Sequence, residues 1–294
     1  GVSTCTTIGG TWNDHTCTVS SLTIDSGDTL TITSGTVLSV TGTLTNNGGL
    51  NILGAVTNSG SIENYGTLTI SNTVQTGSGI SGGSITNHSL GQITISNTGS
   101  GSYGISGSTI TNELGGQITV SNTGQYSTGI SNTSNLFNSG TITVSNEGNY
   151  GICAYTITNN PGGEMILSSI EGSAISYSHN FTTDGTITIS NTSPTGTGIY
   201  INNGVGDNLT NNGIITISNT AGGGIIIYGT LNNNLGGQIT ISNSGTSYYG
   251  ITNIGSSTIN NHGTFTISPS TTFTNDGNFI TSSTGAITNS GTFI

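Results

Sequence analysis

Lysine and arginine are both absent from this 294-residue chain, so eleven Asp and Glu face only four histidines and the net charge is −11. A polyanionic surface without ammonium or guanidinium groups cannot neutralise phosphates, which argues against nucleic acid and anionic membranes as partners. Charged residues make up only 4% of the chain, against about 25% in an ordinary soluble protein. Long apolar runs are missing as well. No stretch approaches the roughly 18 residues that span a bilayer, so membrane insertion is not expected. Three prolines leave almost the whole chain free to pair as strand. Leu, Ile, Val and Phe together number 68, while Gly, Ser, Thr and Asn number 183. Scattered at random, so few apolar residues would leave a disordered chain. They are not scattered.

A phrase of the form Ile-Thr-Ile-Ser-Asn returns nine times, beginning at Leu68, Ile93, Ile118, Ile142, Met165, Ile187, Ile215, Ile239 and Phe265. Spacings of 22 to 28 residues are the mark of stacked repeats rather than of separate globular domains. Inside each phrase the period-2 alternation puts aliphatics on one face and hydroxyls on the other, as in a half-buried strand. A second phrase, Ile/Leu-Thr-Asn-x-Gly, precedes it by six residues (Ile62, Leu136, Leu209, Ile259) or by eight (Ile85, Ile110, Ile157, Leu231). An insertion of two preserves the facing of every side chain. A third ladder of Gly-Ile pairs follows, from Gly79-Ile80 to Gly250-Ile251.

Three strand sites per coil predict an all-β, three-sided parallel β-solenoid of about 11–12 coils of 22–28 residues. Right-handed crossover is the general preference for parallel strands. Hexads upstream (Leu38, Leu44, Leu50, Val56, Ile62, Leu68) would suit an 18-residue left-handed coil, but the longer spacings favour the right-handed form. Coil starts are placed at Leu22, Leu44 and Leu68 and onward. Corner glycines are expected to supply positive φ angles, and the recurring Asn to stack coil on coil through their amides. The expected organisation is an N-terminal cassette over 1–20 and a continuous solenoid over 21–294.

On these Thr-Asn-x-Gly-x-Ile phrases, residues 21–294 resemble the parallel β-helix surface proteins of prokaryotes, such as autotransporter passenger domains and haemagglutinin-type adhesins. The opening, Cys5 through Trp12 to Cys17 and on to Leu22-Thr-Ile24, resembles the start of secreted archaeal repeat proteins. Both resemblances imply an extracellular, secreted or cell-surface protein. The opening Gly1-Val2-Ser3, without an initiator Met, fits a mature secreted product. Cys5 and Cys17 enclose a short loop that reads as a local disulfide in an oxidising compartment, the alternative being two buried thiols. Cys153 follows Ile152 of the Gly-Ile ladder and should point outward, either as an intermolecular thiol or as a filler of a Ser-sized slot.

Four of six phenylalanines (Phe265, Phe273, Phe279, Phe293) fall in the last thirty residues at inward positions, and the chain reaches Ile294 in mid-phrase. A bulky apolar end suits a head-to-tail interface in which the next subunit continues the ladder and the core. The expected function is therefore a structural subunit of an extracellular filament or sheath, with the chain itself as partner. Trp12, Phe273, Phe279, Phe293 and Ile294 are the candidate interface.

An adhesin binding surface polysaccharide is the first alternative, on the tyrosines near the Gly-Ile corner: Tyr103, Tyr126, Tyr150, Tyr155, Tyr177, Tyr200, Tyr228, Tyr248 and Tyr249. Ice binding through outward hydroxyl pairs such as Thr94/Ser96 and Thr119/Ser121, a face similar to that of ice-binding solenoids, is the second. Neither catalysis nor a cofactor is expected, because the acids are isolated, about one per coil, and glycoside hydrolysis needs a facing pair. His88 and Glu113 occupy equivalent links and could pair on the surface. Asp25 and Asp28 around Gly27 read as turn formers, and no metal is expected.

Overall fold

The computed structural model describes every residue except 1–4, 73–77, 98–100, 102, 123, 125, 147, 170, 192–195, 202–206, 220–222, 244–248, 270, 291 and 294. Ile294, Tyr248 and Glu147 thus lie outside the described residues. The chain divides into two compact units, Gly1–Gly148 and Asn149–Ile294. Among the described residues, apart from a 3-10 turn at Cys5–Ile8, the regular elements are all strands.

In the first unit Thr11–Asn13 pairs antiparallel with Thr16–Val19, and every later pairing is parallel. The strands fall into three columns. The first runs Thr16–Val19, Val37–Val40, Ala55–Asn58, Ile80–Ser81 and the front of Tyr103–Asn112 and Thr128–Asn138. The second holds Leu22–Ile24, Thr43–Asn46, Ser61–Asn64, Ser84–Asn87 and the rear of the same two long strands. The third is the returning phrase itself: Thr29–Ile32, Gly49–Ile52, Thr67–Asn72, Gln92–Asn97, Gln117–Asn122 and Thr141–Asn146.

Alternation decides what is inside. Leu68, Ile93, Ile118 and Ile142 stack in register with their side chains buried, while the threonines between them face out. Each repeat burying its aliphatics against the next is what lets so apolar-poor a chain fold.

The second unit repeats the plan. Ile152, Ile175, Ile199, Ile225 and Ile251 form its first column, which continues through Phe273 to Phe293. Ile157, Phe181, Leu209, Leu231, Ile259 and Phe279 form the second. Met165, Ile187, Ile215, Ile239, Phe265 and Ile287 form the third. Each unit is a parallel β-solenoid, and each carries six rungs in its third column.

Two expectations change in detail. Leu44 pairs with Ile62 and Leu68 with Leu50, so the hexad stretch closes a full coil in 18 residues, and Leu68 is not the equivalent of Leu44. Three hexads supply three strands, whereas the later coils gain their length in the links. Corner glycines meet the expectation of positive φ only in part. Those of the Thr-Asn-x-Gly phrase are required because a Cβ would strike the backbone of the rung before: 2.1 Å from the Gly48 oxygen at Gly66, and 2.2 Å from the Gly116 oxygen at Gly140. Positive φ is found at other corners: in the inserted turns at Gly115 (83°) and Gly236 (88°), and also at Gly27 (88°), Gly35 (75°), Gly82 (83°) and Gly83 (59°).

The expected asparagine stack is present and fully buried. Asn46, Asn64, Asn87, Asn112 and Asn138 close successive second-column strands of the first unit. Each amide donates to the next side-chain oxygen at 2.8–2.9 Å. The same nitrogens donate to main-chain oxygens of the following third-column strands, Gln92 O from Asn64 and Gln117 O from Asn87, both at 3.1 Å. Asn46 begins the ladder because Ile24 stands below it, and its Oδ1 is buried without a partner. In the second unit Asn211, Asn233 and Asn261 are linked in the same way, while Thr183 occupies the position above Asn159, bonded at 3.3 Å.

Candidate functional site

The N-terminal cassette is held by the Cys5–Cys17 disulfide, as the spacing predicts. Gly10 makes room for it, since a Cβ there would lie 2.7 Å from Cys5 Sγ and 2.9 Å from Cys17 Sγ. Cys17 and Val19 are buried, whereas Trp12, opposite Cys17 in the hairpin register, is 50% exposed on the outer strand. Below that strand the first rung is well covered: Leu22, Ile24, Leu30 and Ile32 are all buried.

In the last described rung of the second unit the columns lose their cover. In the third column Ile239 and Phe265 are buried, but Ile287, next in register, is 38% exposed. In the second column Ile259 is buried and Phe279, next in register, is half-buried. Phe273 is buried and meets Phe279 edge-on, with ring centroids 5.2 Å apart. Phe293 is placed by its backbone register with Phe273. Of the candidate interface, then, Phe279 is partly open, Trp12 is open, and Phe273 belongs to the core.

The clearest polar cluster lies at the corner between the second and third columns of the first unit. His88 sits between two rungs, its Nε2 2.9 Å from Glu63 Oε2 and its Nδ1 3.1 Å from Glu113 Oε2. An imidazole carrying both protons donates to both carboxylates. Tyr65 lies flat on the ring, centroids 3.9 Å apart and planes within 4°. The sequence pairs His88 with Glu113, each one residue after a ladder asparagine, but misses Glu63, which stands one residue before Asn64 on the outward face of the strand, in register with Thr86 and not with His88.

The tyrosines divide. Tyr177 is 1% exposed, packs edge-on against Phe181, and so is core rather than platform. Its hydroxyl has no hydrogen-bond partner; burial, and then the charge of buried Asp207, hold its phenol well above the usual range. Tyr200 and Tyr228 lie with ring centroids 5.8 Å apart. Burial, followed by the proximity of Tyr228 and Tyr150, raises the Tyr200 phenol. Tyr155 stacks on His179 at 4.8 Å.

Cys153 is a free, partly exposed thiol in register with Ser176, and burial pushes its thiol up. Asp25 and Asp28 form the turn around Gly27, with the Asp28 amide donating to the Asp25 carbonyl at 3.1 Å.

The third-column strands of the first unit present an uncharged face. Outward positions in four successive rungs are hydroxyls or amides only: threonine, serine, and the paired Gln92 and Gln117. Thr69, Thr94, Thr119 and Thr143 form one rank, and Ser71, Ser96, Ser121 and Ser145 a second.

No protein-family model matches the chain, and no curated protein does. Among solved structures, the crystal structure of the TibC-catalysed hyper-glycosylated TibA55-350 fragment is similar at 15% identity. The match covers 95% of this chain and 97% of that one, with a TM-score of 0.24. The fold stands on the strand pairings of the chain itself.

Proposed function

We propose that the chain is a structural, non-enzymatic subunit of an extracellular filament or sheath, in which copies add end to end through the last rung of the second unit. The observation that supports this is the apolar column that runs buried through Ile239 and Phe265 and then emerges at Ile287. A further rung from another copy would cover that apolar surface and continue the parallel ladder.

The receiving end is the cassette of the first unit. In the second and third columns the incoming edge meets Leu22–Ile24 and Thr29–Ile32 as a parallel rung. In the first column it meets Thr11–Asn13, which runs antiparallel to its neighbour, so that part of the joint is antiparallel and centres on exposed Trp12. An aromatic anchor of that kind is a common hot spot in interfaces. The disulfide agrees with an oxidising, extracellular compartment.

Negative-stain electron microscopy of the purified chain across a concentration series tests the reading. Filaments are expected, and Trp12→Ala and Ile287→Asp should each shorten or abolish them without changing the β-sheet signal in circular dichroism. Short monodisperse particles at every concentration overturn it. Retention of the isolated subunit on a polysaccharide column, with no filaments formed, favours the adhesin instead.

A further inference from the structure

We infer that the third-column face of the first unit is a lateral contact surface for a second copy of this chain. The inference rests on the end-to-end reading above, to which it adds side-by-side association.

Charge makes the first argument. A chain with eleven acidic residues and no lysine or arginine repels its own copies wherever carboxylates meet. Over the four strands Thr67–Asn72, Gln92–Asn97, Gln117–Asn122 and Thr141–Asn146, no outward position carries a charge. The carboxylates of Glu63 and Glu113 are placed round the corner, tied to His88. Two copies can therefore bring these faces together without setting carboxylate against carboxylate.

Period makes the second. Thr94 stands in register with Thr119, and Ser96 with Ser121, with no shift between the rungs. Rows of side chains interdigitate over many rungs only if the partner repeats at the same interval, about 4.8 Å for adjacent strands. A second copy has that repeat by construction. In an isologous pairing the same uncharged face is presented by both copies.

Area sets the strength. Four strands of about 17 Å each, about 4.8 Å apart, give a face of roughly 300 Å², well below the roughly 800 Å² per partner of a stable complex. A single face accordingly holds two free subunits weakly. Copies already arrayed in a filament repeat the contact, and the summed contacts hold filaments side by side.

The test uses Thr94→Glu/Thr119→Glu, which places two carboxylates at the centre of the face, and Ser39→Glu/Thr57→Glu as a control on the first column. Electron microscopy of assembled protein should show wild-type and control filaments in bundles and the Thr94/Thr119 variant as single filaments. Sedimentation of unassembled subunits should show a weak self-association that falls about tenfold or more in that variant. Unbundled wild-type filaments, or bundles that survive both glutamates, overturn the inference. If no filaments form, the end-to-end reading fails, and the sedimentation difference decides this one alone. Thermal hysteresis, or binding to a neutral polysaccharide through this face without self-association, overturns it in favour of another ligand.

Discussion

Asn64 donates its side-chain amide to the Oδ1 of Asn87 across one rung, at 2.8 Å, in a position that solvent does not reach. Both hydrogens of that amide are used, because its nitrogen also approaches Gln92 O at 3.1 Å and Gly66 O at 3.0 Å. A buried amide whose donors and acceptor are all engaged stabilises; one left half-satisfied costs about 1–3 kcal/mol.

Asn87→Leu removes the acceptor for Asn64 and the donor for Asn112 together. We expect a loss of about 2–4 kcal/mol, measured by denaturant unfolding. In the second unit Thr183→Asn should act the opposite way. It replaces the 3.3 Å contact from Asn159 with an amide-to-amide bond and should gain about 1 kcal/mol. If Thr183→Asn destabilises as much as Asn87→Leu, the ladder is not what fixes the register.

Tyr177 keeps an unpartnered hydroxyl inside the core beside buried Asp207. Tyr177→Phe deletes that hydroxyl without changing the ring, and should stabilise by about 1 kcal/mol. The sign of the pH effect follows from the raised phenol. The folded state retains its proton while the unfolded state loses it above about pH 10, so stability falls as pH rises beyond that point. Thermal melts from pH 8 to 11 should show this alkaline loss in the wild type and a smaller one in Tyr177→Phe.

Glycines of the two corner types should respond differently to alanine. At Gly66 the new Cβ would sit 2.1 Å from a backbone oxygen of the rung before, and a loss of more than about 3 kcal/mol is expected. At Gly236 nothing lies within 4 Å and only the left-handed backbone resists, so about 1–2 kcal/mol is expected. Equal losses in urea unfolding would refute the distinction.

His88→Leu leaves Glu63 and Glu113 without their shared partner. These groups are only partly buried, so screening keeps the effect small, about 0.5–1 kcal/mol. Added salt should narrow the difference between mutant and wild-type melting temperatures.

Much of this was legible in the linear pattern. Period-2 alternation within the phrase at Ile93 fixes which side chains face inward, whatever surrounds it, because successive strand residues point to opposite faces. The two-residue insertions before Ile93 and Ile118 keep that facing, and the register of Leu68, Ile93 and Ile118 follows. The Cys5–Cys17 spacing likewise pointed to the bridge that forms.

Other features depend on which residues are brought together from different coils. Glu63 reaches His88 only because the rungs that carry them are adjacent, 25 residues apart.

Sequence alone therefore determined the strands, their inward faces and the stacking of like on like, because those are set by local alternation and repeat length. Tertiary structure decided the rest: that Gly66 is required by a carbonyl one rung away, that Asn46 opens the ladder above Ile24, and that an uncharged hydroxyl face lies beside a carboxylate corner. Each of these is a contact between coils, and the distance between coils is fixed only when the backbone ladder closes.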